Sequence, residues 1–275
     1  MTASQLQAEV EINLKNTLQT YAVPLDVSVS ADGRSTFVLT DEGNVLVYDK
    51  LGKLTETIDV GSHIDHIEID PGGEHLFASS RKNKTVEIIQ LNFIKHINTA
   101  GSIFKGPENA PVTIAVFSEF QWGYCAKLAP QLEQLLEKYP AEVKLVHKNF
   151  PIRSHKFAFK AATAALAAGR QGKFWEFHDE LYKNYNRLND QKIDEIAKQL
   201  QLNEIEFKEQ QKDLNIISQI RRDYEEGIQL GIRGVPTVFI NGKKTRVRSM
   251  NTLEAVISKE LKKAKTSENV KESVQ

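Results

Sequence analysis

A chain of 275 residues with one cysteine cannot close an internal disulfide, and it cannot build a cysteine-rich zinc site. No apolar run approaches the ~20 residues that a membrane-spanning helix needs, so no span is expected. Net charge is lacking as well: 36 Lys and Arg balance 36 Asp and Glu, leaving no global field to attract nucleic acid or a membrane surface. Met1 to Tyr21 carries neither the basic nor the apolar region of a secretory leader, so the sequence reads as cytoplasmic or as starting after a removed leader. The chain has no glycine-rich phosphate loop and no Ser-His-Asp signature, which sets aside nucleotide-dependent and hydrolase readings. What remains is core-forming material at 40% hydrophobic residues, with enough length for two domains.

The first hundred residues repeat. Pro24 to Leu39 reappears as Ile64 to Ser79 at an offset of 40, each copy alternating apolar and polar residues around an Asp-Gly or Pro-Gly-Gly turn. Asn44 to Asp49 and Lys84 to Ile89 supply matching third strands, and Leu54 to Val60 and Ile94 to Thr99 read as matching fourth strands. A period near 40 with four strands per unit is the pattern of β-propeller blades, so residues 1–102 are read as an all-β module of two blade-like repeats. Two blades cannot close a ring that needs about four to eight. The open edges call for cover from the second domain, from another copy or from segments outside this chain. A homodimer through the β module is expected on that ground, and the plainer reading is a spacer or docking surface without chemistry.

Gly101 to Pro111 reads as a linker and entry turn. Val112 to Phe117 is a continuous apolar run, as a strand covered on both faces should be. It leads into a helix from Cys125 to about Tyr139, which Pro130 should kink. A strand over Glu142 to Phe150 follows, and then a helical block over about 154–231 with apolar stripes at helical spacing. Thr237 to Ile240 continues the strand pattern into an Asn-Gly hairpin, and Thr252 to about Lys263 forms a last amphipathic helix. Residues 266–275 are read as a polar tail.

Three features carry a family resemblance: F-S-E-F-Q-W-G-Y-C at Phe117 to Cys125, Pro130 five residues on, and G-V-P-T-V-F-I-N-G at Gly234 to Gly242. Ala161 to His178, ending G-K-F-W-E-F-H, adds a fourth. Residues 103–265 resemble the DsbA-like branch of the thioredoxin superfamily, an α/β thioredoxin fold with an inserted helical block. The resemblance implies thiol-disulfide exchange on protein thiols and disulfides, without a metal or other cofactor, together with a redox partner that the residues do not identify. It implies a bacterial envelope or periplasmic location, with the cytoplasm as alternative. By the same resemblance Val235-Pro236 is a cis peptide in a substrate clamp, where an ordinary strand-opening proline is the plainer reading. Gly123, Tyr124, Val235, Pro236 and Thr237 are the implied substrate contacts, and Cys125 is the implied resolving cysteine. Oxidase, reductase and isomerase directions depend on a reduction potential and are not separated.

Trp122 occupies the nucleophile position, and an indole can neither ionise usefully nor attack a disulfide. Three readings stay open: a UGA-encoded selenocysteine written as Trp, a cysteine replaced through a one-base change, and a redox-inactive peptide-binding or chaperone-like module. Glu119 reads either as a proton-transfer group or as a solvated loop carboxylate. His63 and His66 fall on opposite faces of a strand and are not read as metal ligands. Lys243, Lys244, Arg246 and Arg248 read as a charged edge strand.

Overall fold

The computed structural model describes residues 11–246 and 249–272. The chain divides into two compact units, Met1–Asn92 and Phe93–Gln275, with the division ten residues before the expected one at 102.

In the first unit β1 (Pro24–Val29), β2 (Ser35–Thr40), β3 (Asn44–Asp49) and β4 (Leu54–Asp59) form a four-stranded antiparallel sheet in chain order. The second repeat makes a separate three-stranded sheet from β5 (His66–Ile69), β6 (His75–Ser80) and β7 (Thr85–Gln90). Short polar turns between alternating strands dictate this up-and-down order. Side chains of β1 satisfy the backbone of β5: Asp26 Oδ2 accepts from the Ile67 N–H at 2.7 Å, and Ser28 Oγ from the Ile69 N–H at 3.0 Å. Leu18 packs on Val38, Leu46 and Tyr48, and the Tyr48 hydroxyl donates to the Gln19 carbonyl at 2.7 Å.

The expected fourth strand of the second repeat, Ile94 to Thr99, does not join that sheet. Ile94 forms an antiparallel bridge to Lys243 in the second unit, and the Lys95 N–H donates to the Gly242 carbonyl at 2.8 Å. The Asn241-Gly242 turn explains the capture. Both residues have positive φ, and a Cβ on Gly242 would meet the Lys95 carbonyl oxygen at 2.3 Å, so only glycine lets the two backbones approach.

The second unit runs β8 (Phe104–Lys105), β9 (Val112–Ser118), α1 (Gly123–Lys138), β10 (Val143–Asn149), α2 (Ala158–Arg170), α3 (Phe174–Lys183), α4 (Asp190–Gln199), α5 (Glu204–Gln210), α6 (Leu214–Gln229), β11 (Thr237–Ile240), β12 (Lys243–Thr245) and α7 (Met250–Glu272). The sheet order is β12-β11-β9-β10-β8, with β9 and β10 parallel and the other pairings antiparallel. Strand β8 lies where the sequence reads as linker. Helix α1 continues through Pro130, and α7 continues past Thr266, where a polar tail is expected.

The apolar run of β9 feeds two cores, because successive strand residues face opposite sides. Ala115 and Phe117 pack with the helical block, whereas Ile114 and Val116 pack with Leu128, Leu132, Leu135 and Leu136 of α1 and with Leu253 and Ile257 of α7. Each fully buried side chain of this kind contributes about 1.5–3 kcal/mol. Helix α2 is buried through seven alanines, whose small volume admits close neighbours. Across the sheet end, Lys148 of β10 pairs with Asp223 of α6 at 2.6 Å and Glu226 at 2.8 Å, with Lys148 and Asp223 nearly inaccessible.

Candidate functional site

Strand β9 ends at Ser118, and α1 begins five residues later. Thr237 pairs with Phe117, so the Val235–Pro236 turn lies beside this strand end. The Val235–Pro236 peptide is cis, as the resemblance implies.

Trp122 is the N-cap residue of α1, in an extended conformation, and its side chain caps no backbone N–H. The first turn holds no acidic residue either. Position 122 therefore sits at the positive end of the helix dipole with no acidic side chain in the first turn, an environment that stabilises a thiolate or selenolate.

Cys125 lies in the first helical turn and is 1% exposed. Burial pushes its thiol up to about 11, partly offset by hydrogen bonding to the Ser118 side chain and the Glu119 backbone. Ser118 Oγ and the Tyr182 hydroxyl lie 2.5 Å apart behind it. Burial, then the neighbouring Cys125, hold the Tyr182 hydroxyl protonated. A small cavity of about 20 Å³, lined by Ser118, Cys125, His147, His178 and Tyr182 among others, has room for about one water. Neither ring nitrogen of buried His147 has a hydrogen-bond partner among the described residues, and burial followed by His178 keeps that ring neutral.

Glu119 is not a solvated loop carboxylate, being 2% exposed. It accepts from the Gln121 N–H at 2.6 Å and holds His155 Nδ1 at 2.6 Å. Burial raises its carboxyl above the usual range, against the lowering effect of those bonds. The His155 ring in turn lies 5.6 Å from the Trp122 ring, centre to centre. A buried carboxylate thus orients an imidazole against position 122, the arrangement that activates nucleophiles in other enzymes. His155 has no sequence signal. It stands in an irregular loop 36 residues from Glu119, and no motif spacing joins them.

Tyr124, Val235, Pro236 and Thr237 come together along a groove of about 520 Å³, with Lys127, Leu128, Gln131, Lys244, Thr245 and Arg246 completing its walls. Gly123 is not among these lining residues. It backs onto Tyr185, whose ring a Cβ there would meet at 3.0 Å. No cluster of three metal-ligating side chains occurs among the described residues, and no helix is long and apolar enough to cross a membrane.

A central sheet with a strand-to-helix site, a neighbouring cis-proline turn and a helical block inserted between the two halves define a thioredoxin fold of the DsbA type. The chain belongs to the thioredoxin family: the family model described as Thioredoxin matches residues 98–259, more than half of the chain. The Na(+)/H(+) antiporter NhaA 3 of Salinispora tropica is 33% identical over 141 residues, which make up 51% of this chain and 22% of that protein. NhaA 1 of Mycolicibacterium gilvum is 24% identical over 163 residues, 58% of this chain and 26% of that protein. The chain spans about a quarter of the length of these curated relatives. Among solved structures, the thiol-disulfide exchange protein alpha-DsbA2 of Wolbachia pipientis shares the fold with a TM-score of 0.53 and 23% identity, over 57% of this chain and 86% of that one. Oxidised BdbD of Bacillus subtilis gives a TM-score of 0.53 and 21% identity, over 62% of this chain and 98% of that one. A thioredoxin-like oxidoreductase from Silicibacter pomeroyi gives 0.55 and 23%, over 58% and 92%.

Proposed function

We propose that the native protein is a thiol-disulfide oxidoreductase of protein substrates, with position 122 as nucleophile and Cys125 as resolving thiol. A chalcogenolate at 122 attacks a substrate disulfide, forming a mixed bond and releasing one substrate thiolate, which takes up a proton. Cys125, on losing its proton, attacks the position-122 side of that bond. The second substrate thiolate leaves, and positions 122 and 125 end joined and oxidised while the substrate disulfide is reduced; the reverse sequence oxidises a dithiol. Glu119 and His155 serve position 122 by holding and moving its proton, and the Val235–Pro236 turn aligns the substrate segment. The observation that carries this reading is the uncapped start of α1 facing the Glu119–His155 pair.

Trp122 itself supports no such step. We infer that it stands for a UGA-encoded selenocysteine, because the surroundings of position 122 suit an anionic chalcogen. The native codon and the intact mass test this: UGA with selenium in the mass supports it, and UGG with an unmodified mass overturns it. The Trp122→Cys protein should reduce insulin with Cys125 present and lose that turnover when Cys125→Ser is added. Failure of the folded Trp122→Cys protein would leave the second reading, a redox-inactive peptide-binding module, which the groove beside Pro236 favours. An envelope location accompanies the redox reading. For the β module we propose self-association, supported by the exposed Leu25, Val27, Val29, Val86 and Ile88; a light-scattering mass of a single chain at micromolar concentration would count against it.

A further inference from the structure

We propose that the groove beside Pro236 takes extended polypeptide segments that carry acidic side chains, a substrate class for the site proposed above that rests on its peptide-binding role. The groove has two basic walls. Lys127 comes from α1, and Lys244 and Arg246 come from β12 and the residue just beyond it. No Asp or Glu is among its lining residues. The whole chain has no net charge, so this excess is local and not inherited from composition.

The basic run of the sequence is divided by strand alternation. Lys243 points to Glu260, 2.7 Å from its carboxylate, and the next residue, Lys244, projects to the other face and into the groove. Lys127 holds its ammonium 5.7 Å from the centre of the exposed Tyr124 ring, which places a cation and an aromatic face side by side. Tyr124, Leu128, Val235 and Pro236 supply the apolar surface between the walls. An extended segment presents alternate side chains to one side, so a strand alternating apolar and acidic residues matches a groove that is apolar along its floor and cationic at its rims. Rim ion pairs are individually weak, so together they are expected to give roughly tenfold selectivity, strongest at low salt.

Isothermal titration of the full chain with short peptides alternating Val with Glu, Gln or Lys tests the proposal. At low salt the Glu peptide should bind about tenfold tighter than the Gln peptide, with the Lys peptide weakest, and ~1 M salt should remove the preference. Lys127→Glu and Lys244→Glu should each weaken the Glu peptide severalfold more than the Gln peptide, and Lys198→Glu on α4 should change neither. A Glu peptide that binds no tighter than the Gln peptide overturns the proposal. Insulin turnover by the Trp122→Cys protein separates the two ideas. Turnover without charge preference leaves the redox reading standing and removes the acidic one; charge preference without turnover does the reverse.

Discussion

Cys125 and position 122 are three residues apart in one helical turn, yet their environments differ in opposite directions. Position 122 meets the open end of α1 and the imidazole of His155, whereas Cys125 is buried and its thiol is pushed up to about 11. The fold therefore keeps Cys125 protonated at neutral pH. In the unfolded chain the thiol titrates near 9.0, so between about 9 and 11 the unfolded state loses its proton first and folding stability falls as pH rises. Thiolate absorbance of the native protein should rise only as the pH approaches about 11, and in denaturant it should rise near 9. For position 122 the sign is reversed. In the Trp122→Cys background, removing the His155 imidazole with His155→Ala should raise the pKa of the new thiol by about one unit, and it should also lower thermal stability, because buried Glu119 loses its partner. An unaltered titration curve would remove His155 from the site. Cys125, Trp122 and the proline turn are legible in the sequence because the motif is local. His155 is not, because only the fold brings the loop after β10 back to Glu119.

At the scale of elements, the contact between β10 and α6 joins the central sheet to the inserted helices. Asp223 accepts from the backbone N–H and side-chain amide of Asn149, both at 3.0 Å, and also pairs with Lys148. Removing one partner of a buried pair leaves an uncompensated charge, so Asp223→Ala should destabilise the protein by about 3–5 kcal/mol, read as a shift of the urea midpoint. A shift below about 1 kcal/mol would mean that Glu226 alone satisfies Lys148. The same interface is close enough that a Cβ on Gly227 would meet Phe150 at 2.5 Å. Apolar periodicity makes the helices of the block legible, as it does β9 and β10. Strand β8 was missed because two residues carry no periodicity, and the Lys148–Asp223 pair was missed because 75 positions separate its partners.

At the scale of the whole chain, the segment after Asn92 belongs to the thioredoxin unit. The Asn98 N–H donates to Glu226 at 2.6 Å, and Lys148 donates to the Asn98 carbonyl at 2.9 Å. A fragment starting at Phe93 should consequently melt higher than one starting at Ile103 by at least about 4 °C, since the shorter one gives up the Ile94 bridge and these bonds. Equal melting temperatures would place the boundary at 102 after all. The first three strands of each repeat, the helices of the inserted block and the strand-to-helix position of Trp122 and Cys125 are all written in the sequence, because each follows from spacing along a few neighbouring residues. It takes the folded chain to bring Ile94 to the edge of the other sheet, to bury Glu119 against His155, and to turn Lys127 and Lys244 toward one groove. These outcomes depend on which distant segments compete for the same backbone hydrogen bonds and the same buried space, and periodicity along the chain carries no record of that competition.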